Sequence, residues 1–219
     1  NFSFELGGGG TFHGPINVAL GVHFELRYDI LANGNDPRRF ANVLTFAADS
    51  QVKIDGDFWV INNSLVVNSN ATVGFLLFNA PDGNNSYSNT ISGPGNIDVT
   101  RQFSWQVGRI ATTGVLTIKP TALVQIDASS GSANATVLDG TMLVNQSANP
   151  LSFASGNLAM AHGALVRNEG SLIWKIYFGN FVSGDGTERI DNYGTWTFTG
   201  NGFNSTTVSV NVPFLNYGT

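Results

Sequence analysis

The residues of this chain with types suited to catalysis are few and scattered. Asp55-Gly56-Asp57 sets two carboxylates one residue apart, and alternate side chains of an extended strand share a face. Such a pair can help bind a cation. A turn is the plainer reading, as it is for Asp185-Gly186-Thr187-Glu188. His13, His23 and His162 have no metal-ligand spacing to one another or to a carboxylate pair. Asp82, Asp98, Asp127 and Asp139 are dispersed. With no clustering of His, Lys and paired carboxylates, no catalytic, metal or cofactor residue is expected. The absence of cysteine removes disulfides, thiolate metal sites and cysteine nucleophiles together.

Asparagine carries more information. Sequons of the form Asn-X-Ser/Thr begin at Asn1, Asn62, Asn70, Asn84, Asn134, Asn145 and Asn204. Asn84, Asn134 and Asn204 lie in apparent loops and are the better glycan acceptors, with Asn62 and Asn70 behind them. Asn145 is expected to turn inward, because it belongs to a second pattern. Asn168-Glu169-Gly170-Ser171, Asn192-Tyr193-Gly194-Thr195 and Asn216-Tyr217-Gly218-Thr219 recur at intervals of 24 residues. Asn145-Gln146-Ser147-Ala148 is a fainter relative 23 residues earlier. The spacing predicts Asn145, Asn168, Asn192 and Asn216 at equivalent corners. There they form a stacked amide ladder or serve as left-handed turn residues.

The elements that hold these corners read as strands. Apolar residues alternate in Ile16-Asn17-Val18, Phe24-Glu25-Leu26, Leu116-Thr117-Ile118, Val124-Gln125-Ile126 and Val208-Ser209-Val210. Gly14–Leu26 aligns without gaps on Gly114–Ile126, and Gly95–Val99 precedes Gly114–Ile118 by 19 residues. Repeats of this length, each with two or three short strands, indicate a solenoid. The expectation is an all-β chain, one parallel β-helix over residues 1–219, less regular and loop-rich at 29–91. Roughly ten coils at the inter-strand spacing make a rod about 45–50 Å long. An antiparallel sandwich or jelly roll is the alternative. Trp174, Trp196, Phe198, Phe2 and Phe4 are read at one phase as an internal stack. Trp59 and Trp105 are read outside it, with surface roles.

Only 11% of residues are charged while 42% are apolar, which disfavours both helical and disordered chains. A net charge of −5 argues against nucleic acid or an anionic membrane as partner. No apolar run approaches a membrane helix. The sequence opens at Asn1 without a signal-peptide pattern, as expected of a processed form or a segment of something longer.

Ser92–Val99, Phe103-Ser104-Trp105, Gly114–Ile118, Asp139–Asn145, Val166–Ser171 and Val212–Thr219 resemble the β-strand-repeat, adhesin-like surface proteins of bacteria and some aquatic microbes. The resemblance covers residues 92–219 well and 1–28 reasonably. It implies right-handed parallel coils and an extracellular or cell-surface role, and supplies no catalytic residues. The leading expectation is a structural subunit of an extracellular fibre or stalk, with self as partner. Tail joined to head reads Asn-Tyr-Gly-Thr-Asn-Phe-Ser-Phe, so Asn216, Tyr217, Gly218 and Thr219 are expected to meet Phe2 and Phe4 of the next copy or repeat. A glycan-binding adhesin module is the alternative, and a polysaccharide-active enzyme comes third.

Overall fold

The computed structural model describes residues 2–6, 10–27, 43–61, 63–79, 89–127, 136–149, 151–155, 157–176, 180–200 and 209–219. Every regular element among them is a strand. The first eight are β1 (Phe2–Leu6), β2 (Gly10–Phe12), β3 (Pro15–Val18), β4 (Val22–Arg27), β5 (Val43–Phe46), β6 (Gln51–Ile61), β7 (Ser64–Val67) and β8 (Ala71–Asn79). Next come β9 (Thr90–Gly93), β10 (Ile97–Trp105), β11 (Gly108–Thr112), β12 (Val115–Ile118), β13 (Leu123–Asp127), β14 (Thr136–Asp139), β15 (Met142–Asn145) and β16 (Leu151–Ser155). The last are β17 (Leu158–Ala161), β18 (Leu165–Asn168), β19 (Ser171–Ile176), β20 (Asn180–Ser183), β21 (Arg189–Asn192), β22 (Thr195–Gly200), β23 (Ser209–Val210) and β24 (Phe214–Asn216).

These strands form three rows, and every pairing among the described residues is parallel. No antiparallel ladder of a sandwich occurs among them. The first row holds β3, β6, β8, β10, β12, β15, β18, β21 and β24. The second holds β1, β4, the C-terminal halves of β6, β8 and β10, then β13, β16, β19 and β22. The third is a separate nine-stranded sheet, β2-β5-β7-β9-β11-β14-β17-β20-β23. Rows one and two belong to one sheet because β6, β8 and β10 run through both. The chain visits the rows cyclically, so each strand lies beside the strand one circuit earlier.

Glycine makes the corner between rows one and two possible. A Cβ on Gly56 would lie 2.1 Å from the Val22 carbonyl oxygen, and one on Gly74 2.3 Å from that of Asp55. The register slips at this corner, between Ile54 and Asp57. Segment 29–91 lacks the sequence repeat, yet its strands β5 to β8 keep the rows, and β6 is the longest strand described. Residues 33–39 and 81–85, within the stretch expected to be loop-rich, lie outside the described residues.

Register aligns the strands in columns, and the buried members of these columns share one apolar core. Row one stacks Ile16, Val52, Ala71, Ile97, Leu116, Leu143, Val166, Ile190 and Phe214. Row two stacks Leu26, Val60, Phe78, Trp105, Ile126, Phe153, Trp174 and Phe198. Trp105 is therefore in phase with Trp174 and is fully buried, contrary to the surface role expected for it. Alternation over a half-stacked surface supplies the reason, since the inward residues of a strand are set by phase and not by residue type. Trp59 is half-buried on the outer side of row two, edge-on to His23 at 4.0 Å between ring centroids.

Candidate functional site

The Asn ladder starts from a column that is aliphatic for most of its length. Val18, Ile54, Val73, Val99 and Ile118 are followed in register by Asn145, Asn168, Asn192 and Asn216. Asn145 Nδ2 donates to Asn168 Oδ1 at 2.8 Å, Asn168 Nδ2 to Asn192 Oδ1 at 2.7 Å, and Asn192 Nδ2 to Asn216 Oδ1 at 2.6 Å. Asn145 and Asn168 also donate to the corner carbonyls of Ser171 and Thr195, each at 3.0 Å. Burying carboxamides is acceptable only when they are satisfied in this way. Asn145, Asn168 and Asn192 have no exposed surface, whereas Asn216 at the last rung is exposed.

The two-residue corners after Asn168 and Asn192 explain the switch from aliphatic to amide. Tyr193 and Gly194 both donate their N–H to the Asn168 carbonyl, and Glu169 and Gly170 donate to that of Asn145. Gly170 stands 2.1 Å from Ser147 O, Gly194 2.0 Å from Gly170 O and Gly218 2.0 Å from Gly194 O, measured to an added Cβ. Backbones this close exclude any side chain at these positions. Outside the corner, Tyr193 and Tyr217 stack at 4.8 Å and 13°, and the Arg167 guanidinium lies 4.8 Å from the Tyr193 ring.

Among the described residues no strand pairs beyond β22, β23 and β24, or before β1, β2 and β3. At the first of these edges Phe198 is 52% exposed, Tyr217 62% and Phe214 38%. Trp196 donates its N–H to Thr219 O, and Thr219 donates to Gly194 O, so the last signature has the register of the one before. At the other edge Phe2 pairs with Val22 and Phe4 with Phe24. The column of Phe4 passes through Phe24, Phe58, Leu76 and Phe103, and on the far side Leu172 and Trp196 continue it.

Among the glycan candidates Asn70 is exposed; Asn62, Asn84, Asn134 and Asn204 lie outside the described residues, as does Asn1. Asp55 and Asp57 do not act as a pair. The strand bends between them, Asp55 meeting Lys53 at 3.0 Å and Asp57 meeting Arg101 at 2.7 Å.

A third constellation was not anticipated. Asp139, nearly buried, pairs with Arg109 from the previous rung of row three, and its carboxylate accepts from His162 Nδ1 at 2.5 Å in the next. The signal was present, since Asp139-Gly140 and His162-Gly163 are 23 residues apart, the interval of Asn145 and Asn168. A carboxylate that orients an imidazole is half of a proton relay. No serine, threonine or lysine is bonded to His162 among the described residues, and none of the described cavities opens there. The pairs hold three successive rungs together at one corner. One corner further on, Asp185 is lowered to about 2 by the Thr187 hydroxyl and then by the Thr187 N–H, both donating to it.

Comparison with family models, with curated proteins and with solved structures gave no match.

Proposed function

We propose that this chain is a right-handed parallel β-helix that acts as an extracellular structural element, extended by adding coils end to end. Cyclic visiting of three parallel rows supports the helix, and the near-universal right-handedness of parallel crossovers supports its hand. One observation carries the function: both edges present the same rows in the same order. Among the described residues the last strands are β22, β23 and β24, of rows two, three and one, and the first are β1, β2 and β3, of rows two, three and one. A second copy set on the first in the sense of the chain lays β1 on β22, β2 on β23 and β3 on β24. Such a contact is head-to-tail, does not close, and propagates. Backbone hydrogen bonds supply affinity, as in strand addition.

Register decides how the copies join. Were Thr219 bonded directly to Asn1, Asn1 would fall opposite Trp196, and Phe2 and Phe4 opposite Thr197 and Thr199. A one-residue slip turns a strand over. Direct fusion therefore puts Phe2 and Phe4 out of phase with Trp196 and Phe198, contrary to the expected aromatic continuation. Separate copies, or copies with an intervening bulge, bring Phe4 over Trp196 and Leu6 over Phe198.

Analytical ultracentrifugation and negative-stain electron microscopy across a concentration series test the proposal. Rods that lengthen with concentration at constant width are expected. A monomer that persists at the highest soluble concentration sinks it.

A further inference from the structure

The outer side of row one carries two open grooves of about 610 Å³ and about 340 Å³ that meet at Asn70. The charged residues of their lining are paired with opposite charges. Lys53 is held by Asp55 at 3.0 Å, and Asp98 by Lys119 at 2.8 Å. The other polar side chains are amides and hydroxyls, among them Asn17, Gln51, Asn70, Asn96, Thr72 and Thr117. No aromatic ring lines either groove.

Two of the amides are fixed in place. Asn70 Oδ1 accepts the backbone N–H of Asn96 at 3.1 Å, and Asn96 Oδ1 accepts that of Val115 at 2.8 Å. Because a backbone N–H can only donate, the oxygens are identified and each NH₂ must be the other branch. Both residues are exposed, and neither Nδ2 has a partner among the described residues. Successive rungs thus present two donors oriented by these bonds, which lowers the entropy lost when a ligand binds.

We propose that this face binds a linear, uncharged polysaccharide laid along the stacking direction, with Asn70 and Asn96 donating to its hydroxyl or ring oxygens and Thr72 and Thr117 completing the contacts. The internal ion pairs cancel the charge that an acidic polymer would seek. The two grooves meet end to end, which suits a chain of sugars more than a single one.

The test is affinity electrophoresis of the whole chain, made in a bacterial host so that Asn70 is bare. The probes are soluble β-glucan, galactomannan and xylan, with alginate and polygalacturonate as acidic controls. Retardation by at least one neutral polymer and by neither acidic one is expected. Asn70→Asp with Asn96→Asp keeps both accepting oxygens and removes both NH₂ groups. It should keep the melting curve and weaken binding about tenfold, the loss of two ordinary hydrogen bonds. If that variant unfolds, Thr72→Val with Thr117→Val reads the same contacts and should also weaken binding. Retardation by no neutral polymer, preference for the acidic ones, or unchanged binding in folded variants overturns the proposal. So does binding that disappears only in Tyr193→Ala/Tyr217→Ala, which places it on the aromatic corner, or a glycan on Asn70 in native material, which would fill the groove.

Discussion

At the scale of the residue, one column shows how a buried position changes chemistry without changing place. Val18 to Ile118 fill it by size; Asn145 to Asn216 fill it by mutual donation. Removing a member orphans a buried acceptor, which costs more than an average hydrogen bond is worth. Asn168→Ala leaves Asn192 Oδ1 without its donor and should cost about 2 kcal/mol in urea unfolding. Asn168→Asp distinguishes the ladder from mere packing. At neutral pH its carboxylate faces two oxygens, those of Asn192 and Thr195. As pH falls, protonation restores one donor, so this variant alone should regain stability in mild acid. Equal behaviour of the two variants at all pH values counts against the ladder. Asp185 works in the opposite sense. Its folded value, about 2, lies below the ordinary 3.8, so its contribution is present above 3.8 and lost as pH falls through 2. Thr187→Val removes the larger donor, and an NMR titration should find the Asp185 carboxyl moved back up toward 3.8. No movement would show that Thr187 is not the cause.

At the scale of the element, glycine positions separate steric need from conformational need. Gly194→Ala puts a methyl 2.0 Å from the Gly170 oxygen, between backbones that cannot part without breaking the rung. A loss of about 3 kcal/mol is expected, at the upper end of overpacking. Gly186→Ala meets nothing within 4 Å but has φ of +83°, and the left-handed penalty alone is about 1 kcal/mol. Gly10→Ala has neither problem and should stay within about 0.5 kcal/mol. Thermal unfolding that reverses this order would remove the corner argument. These contrasts also show what was legible in the sequence. The 24-residue signature fixed the register of Asn168, Asn192 and Asn216, because tight corners tolerate few residues. The gapless match of Gly14–Leu26 to Gly114–Ile126 likewise places Ile16 and Leu116, and Leu26 and Ile126, in common columns. Segment 29–91 hid its strands because β6 and β8 bend through two rows without a turn residue other than Gly56 and Gly74. Trp105 was misread since its phase appears only through Phe78 and Ile126, which share no motif with it. The Arg109–Asp139–His162 contact pairs unlike residues, so only the 23-residue interval from Asp139 to His162, and no repeat of identical letters, points to it.

At the scale of the whole molecule, the matching row order at the two edges makes a prediction that a symmetric contact cannot imitate. Phe198→Asp places a charge in the column of Trp174 at one edge, and Phe4→Asp places one in the column of Phe24 at the other. Each variant retains one unaltered edge. In a head-to-tail assembly neither should form rods alone, since every copy lacks one partner surface. Mixed in equal amounts, they should form a heterodimer and nothing larger, joined by the intact tail of the Phe4→Asp chain and the intact head of the Phe198→Asp chain. Added in small proportion to the unaltered chain, either should shorten rods by capping them. Sedimentation velocity separates these species, and circular dichroism confirms that each variant keeps its strands. A two-fold contact, with like edges together, gives another pattern: each variant would dimerise through its own intact edge, and mixing would change nothing. Rods from either variant alone would show that neither edge carries the contact.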